Sequence, residues 1–130
     1  MHQILIVEDQ FLIAMAIEDA VIELGHHVVG IASNRTDAEK LGDRVDIAFV
    51  DVNLLDGPTG PEIGRQLALQ GCSVIFMTGN PEIVASGVEG ALGVISKPVR
   101  DLDLVGVIQY ASSCRAGSNI PPPSSLRLFA

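Results

Sequence analysis

Asp46 to Val50 (DIAFV) is a short apolar run that ends against Asp51. Its apolar residues are continuous and do not alternate with polar ones, as expected of a strand covered on both faces in a parallel sheet. Four more runs of this kind lie to either side: Gln3 to Val7, Val28 to Ala32, Ser73 to Met77 and Leu92 to Ile95. The segments between them have helical period. Ile13, Ala16, Ile17, Ala20, Val21 and Leu24 recur at the spacing of one helix face, with Gly25 as a stop. Asn34 to Asp43, with Thr36 as cap, predicts a second helix, and Pro61 to Gln70 a third. Asp101 to Ser113, capped by Asp101 and turning Leu104, Val105 and Ile108 inward, predicts the last. Asn80 to Gly93 starts well but carries Gly87, Gly90 and Gly93, each costing a helix about 1 kcal/mol, so a short, frayed fourth helix is expected there. Alternation of strand and helix predicts a doubly wound α/β domain with right-handed crossovers.

The chain has 130 residues, enough for one domain with its own core. Eight basic and sixteen acidic side chains give a net charge of −8, so neither nucleic acid nor an anionic membrane is an expected partner. Cys72 and Cys114 form no disulfide framework, no leader is apparent and no apolar run reaches membrane-spanning length, so a cytoplasmic location is expected. A domain over residues 1–114 followed by a flexible Pro/Ser-rich tail over 115–130 is the expected organisation. His2, His26 and His27 lack metal-ligand spacing with either cysteine and are expected at the surface.

In this architecture, ligands bind where the strands end at their carboxyl edge. Glu8 and Asp9 follow the first strand, Asp51 the third, Thr78 and Gly79 the fourth, and Ser96, Lys97 and Pro98 the fifth. Three carboxylates brought together repel one another unless a cation intervenes, and Mg²⁺ best suits a few carboxylates with a phosphate oxygen. Asp51 is placed to act as a nucleophile that carries a phosphoryl group. Lys97 would neutralise phosphoryl charge, and the Thr78 hydroxyl would donate a hydrogen bond to it.

Glu8-Asp9, Asp51 within FVDVNL, Thr78-Gly79 and Lys97-Pro98, in this order, closely resemble the receiver domain of two-component response regulators over about residues 3 to 113. The resemblance implies a flavodoxin-like fold with a five-stranded parallel sheet in the order 2-1-3-4-5. It also implies Mg²⁺ held by Glu8, Asp9, Asp51 and the backbone carbonyl of Asn53, with Asp51 phosphorylated by a sensor histidine kinase or phosphotransfer protein and Thr78 and Lys97 responding. A cis Lys97-Pro98 bond is implied as well. Output would pass to a downstream protein partner, or the domain would act as a phosphate sink, in a monomer or weak dimer. Val94 stands where receivers usually carry an aromatic residue. Ile75 to Asn80 is similar to the Phe-Ala-Thr-Gly-Tyr motif of a subclass of single-domain receivers, with Met77 for its alanine and Asn80 for its tyrosine.

A small Mg²⁺-dependent phosphohydrolase using an aspartyl phosphate is the alternative. Such enzymes generally place the nucleophile on the first strand with a second aspartate two positions later, whereas this first strand ends in adjacent Glu8-Asp9. A switch that is not an enzyme is therefore the expected class. Gly57 and Gly60 read as turn residues, since no phosphate-cradling glycine motif follows a strand.

Overall fold

The computed structural model describes residues 1–129. The apolar runs form β1 (Gln3–Val7), β2 (His27–Ala32), β3 (Ile47–Asp51), β4 (Ser73–Thr78) and β5 (Gly93–Ser96). All five are parallel, in the expected order β2-β1-β3-β4-β5. Alternate side chains of each strand enter two cores. Ile4, Ile6, Phe49, Ile75, Met77 and Ile95 pack against α1 (Phe11–Glu23) and α4 (Asp101–Arg115). Leu5, Val7, Val50, Val74, Phe76 and Val94 pack on the other face, against α2 (Arg35–Leu41) and α3 (Gly60–Leu69). Burial on both faces accounts for the continuous apolar runs.

Helix boundaries differ from expectation where side-chain chemistry decides them. Asn34, not Thr36, caps α2: its Oδ1 accepts from the Asp37 amide at 2.8 Å, and α2 stops at Leu41. α4 begins at Asp101 without a side-chain cap and buries Leu104, Val107, Ile108, Tyr110 and Ala111, leaving Val105 only half-buried. The expected fourth helix is a single 3₁₀ turn, Pro81–Val84, followed by Gly87 and Gly90 at positive φ. His2 and His26 are half-buried, their rings 5.3 Å apart. Cys72 is buried, its thiol pushed up to about 12 by desolvation, whereas Cys114 is exposed.

The end of the chain corrects the expected tail. Leu126–Leu128 form a sixth strand, β6, antiparallel to β5, with Ile95 facing Leu126 and Gly93 facing Leu128. Leu126 is buried, and the Phe129 ring lies 6.3 Å from that of Phe76. The packed unit therefore runs past residue 114. Composition marked the prolines and serines of 121–125 but not the Leu-Arg-Leu-Phe that follows them, which is too short to register as a strand until an edge is available. Ala130, also part of the expected tail, lies outside the described residues. No helix of the described residues is long and apolar enough to cross a membrane.

Gly60 ties this frame to the carboxyl edge. A Cβ there would overlap the Asp51 carbonyl and meet the Val52 backbone at 2.7–2.8 Å, while its amide donates to the Val52 carbonyl at 3.1 Å. Gly60→Ala is expected to destabilise the fold by about 1–3 kcal/mol, the range for overpacking a close contact, read as a lower urea midpoint with an unchanged slope.

Candidate functional site

Glu8, Asp51 and Thr78 are the buried polar or charged residues of the described chain, and all three sit at the carboxyl ends of central strands. Glu8 follows β1 directly, its amide held by the Ala32 carbonyl at 2.8 Å. Asp51 is the last residue of β3, and the next amide, Val52, donates to the Met77 carbonyl of β4 at 3.1 Å. Both carboxylates are thus fixed by the sheet ladder. Lys97 reaches them from beyond β5, its own amide bonded to the Thr78 carbonyl at 2.9 Å and its bond to Pro98 cis.

The Lys97 Nζ lies 2.8 Å from Glu8 Oε1 and 2.9 Å from Asp51 Oδ2. Asp9, half-buried, completes a cluster in which one oxygen from each of Glu8, Asp9 and Asp51 lies within 4.8 Å of the others. Asn53 is exposed, and its amide makes a long 3.4 Å contact with Asp51 Oδ1. Thr78 Oγ1 accepts from the Asn80 amide at 3.1 Å and makes no hydrogen bond to Asp51. The structure therefore brings together Glu8, Asp9, Asp51 and Lys97, with Asn53 and Thr78 at the margin. Two contributors escaped the sequence reading. One is Gly60, read there as a turn residue, and the other is the Gln10 amide, which donates to Glu8 Oε2 at 3.2 Å. A backbone donor has no sequence signal.

Desolvation pushes Glu8 up to about 7, the nearby Asp51 carboxylate adds to the shift, and Lys97 opposes it. For Lys97, burial pulls downward, but the Glu8 and Asp51 carboxylates outweigh it and hold the ammonium above its ordinary value.

The residues fit a divalent cation. Glu8 Oε1 is buried, and its one close polar neighbour is the Lys97 ammonium at 2.8 Å, which leaves it room for a cation on its open side. Counted as ions, the three carboxylates and one ammonium carry a net charge of −2, which a hard divalent ion would offset.

A parallel sheet in this order with acids, a hydroxyl and a lysine at its carboxyl edge defines a receiver domain. The chain belongs to the response regulator receiver domain family, whose model matches residues 4–109. It is 37% identical over 115 residues to the phyllosphere-induced regulator PhyR of Methylorubrum extorquens, a match covering 84% of this chain and 43% of that protein. The chain thus spans less than half the length of that relative. The receiver domain of PhyR from Erythrobacter litoralis superposes with a TM-score of 0.78 at 29% identity, covering 94% of this chain and 95% of that one. A variant of the anti-anti-sigma factor PhyR from Bartonella quintana superposes at 0.73 with 30% identity, covering 90% of this chain and 50% of that one.

The raised Glu8 carboxyl sets a pH dependence for the metal-free protein. Between about pH 4.5 and 7 the folded state binds more protons than the unfolded state, so stability falls as pH rises through that window. Thermal melts of the metal-free protein minus those of Glu8→Gln are expected to show this fall, complete above neutrality.

Proposed function

We propose that this receiver is a phosphoacceptor switch in which Asp51 takes a phosphoryl group from a phosphohistidine of a sensor kinase or phosphotransfer protein. The observation that carries this reading is the Lys97 ammonium held 2.8 and 2.9 Å from the Glu8 and Asp51 carboxylates. Asp51 Oδ2 is engaged by Lys97, whereas Oδ1 has only the 3.4 Å contact with the Asn53 amide. Oδ1 is therefore the freer oxygen for attack. Its bond to phosphorus forms as the phosphorus–nitrogen bond of the donor breaks, and the electron pair returns to the imidazole.

Glu8, Asp9, Asp51 and the Asn53 carbonyl would hold Mg²⁺, which supplies charge neutralisation for the phosphoryl oxygens. Lys97 offers a positive charge to a phosphoryl oxygen in exchange for Asp51 Oδ2. Thr78 Oγ1, already accepting from Asn80, keeps its own proton to donate to another. A protein that responds to this charge is the output. The anti-anti-sigma relative supports a sigma-factor regulatory protein as the downstream partner. Turnover of free phosphate esters is not part of this function.

Incubation with acetyl phosphate and Mg²⁺ is expected to add one phosphoryl group by mass spectrometry. Asp51→Asn should abolish the adduct, and Lys97→Ala should slow uptake by about a hundredfold, the scale for removing one charge-stabilising donor. An adduct that survives in Asp51→Asn, or steady release of p-nitrophenol from p-nitrophenyl phosphate, would overturn the assignment.

A further inference from the structure

β6 is seated in a place shaped for it. A Cβ on Gly93 would overlap the Arg127 carbonyl, so the closest approach of β6 to β5 needs a glycine at residue 93. Gly106 gives up helix propensity in the middle of α4, and a Cβ there would stand 3.4 Å from Pro123, against which the returning chain runs. The Phe129 side chain lies beside Gly87, its ring near that of Phe76, and its amide donates to the Leu92 carbonyl at 3.1 Å.

The occupant is nevertheless lightly held. Pairing covers three residues, of which Leu126 alone is buried, with Arg127 exposed and Leu128 40% exposed. Residues 116–125, which lead to it, contain no helix or strand, and Ser125 Oγ is buried there without a hydrogen-bond partner. Opening removes few contacts and releases that unsatisfied hydroxyl. It also bares a row of unpaired β5 backbone groups, a template for any strand that fits. The segment that fits is present in every copy of the chain.

We infer that the outer edge of β5 is a docking site for an extended apolar strand, closed in one molecule by its own residues 126–129 and open to the same residues of a second copy. Exchange reproduces every contact of the closed form across the 116–125 hinge, so the two differ mainly in the entropy of association. A tethered segment competes at an effective concentration on the order of millimolar, so exchange belongs to high local protein concentration.

Two variants test this, each also carrying Cys114→Ser and retaining the buried Cys72: Val94→Cys and Arg127→Cys, positions paired across β5 and β6. Mixed at millimolar concentration and oxidised with diamide, they are expected to yield a 94–127 cross-link between two chains, identified by mass spectrometry. The yield should rise with concentration and be lost when Gly93→Val is added to the Val94→Cys chain. A chain carrying both cysteines should close the same bridge internally in dilute solution. Internal closure without any cross-link between chains would overturn exchange, and failure of internal closure would overturn the seating of β6 itself.

Discussion

One ammonium holds two buried carboxylates. Without Lys97, Glu8 and Asp51 would face each other in a desolvated pocket with no compensating charge, and the burial that already pushes the Glu8 carboxyl up to about 7 would act unopposed by the ammonium. The ion pair accepts this cost to keep Glu8 and Asp51 together beside Asp9, and it leaves an excess of negative charge that a divalent cation would offset. Taking two charges out of water for a third is weak evidence of a stabilising role.

The rest of the fold keeps these charges in register. β1 and β3 are neighbours, with Val7 opposite Val50, so the acids that follow them emerge side by side. β4 and β5 pair Thr78 with Ser96, which delivers Lys97 one residue later to the same edge. Gly60 lets α3 start directly against the Asp51 carbonyl, so the Asp51 backbone is gripped by the ladder on one side and by a helix on the other. The site is a product of strand ends, and its precision is that of the sheet.

At the other margin of the sheet the design loosens. The segment between β4 and β5 shrinks to one 3₁₀ turn, and the space beside it and along β5 is taken by the chain's own last residues. Val94, which stands where receivers usually carry an aromatic residue, is buried and paired to Arg127. This receiver therefore presents its β5 edge already covered by its own backbone.

The amino-acid sequence by itself determined the layered α/β class, because continuous apolar runs of Val, Ile, Phe and Met alternate with segments of helical period that can cover both faces of a parallel sheet. It also determined the residues of the acidic edge, because acids, hydroxyl and lysine stand at or just past strand ends. Tertiary structure alone decided three things. The ion pair depends on distances between strands remote in sequence. The Gly60 contact depends on a helix start meeting another strand's carbonyl, a closeness no local pattern encodes. β6 depends on an edge left open elsewhere, since three residues become a strand only when a neighbour supplies their hydrogen bonds. Helix caps fell between the two: Asn34 and Thr36 offer the same chemistry two residues apart, and it is the Asn34 side chain that accepts from the Asp37 amide.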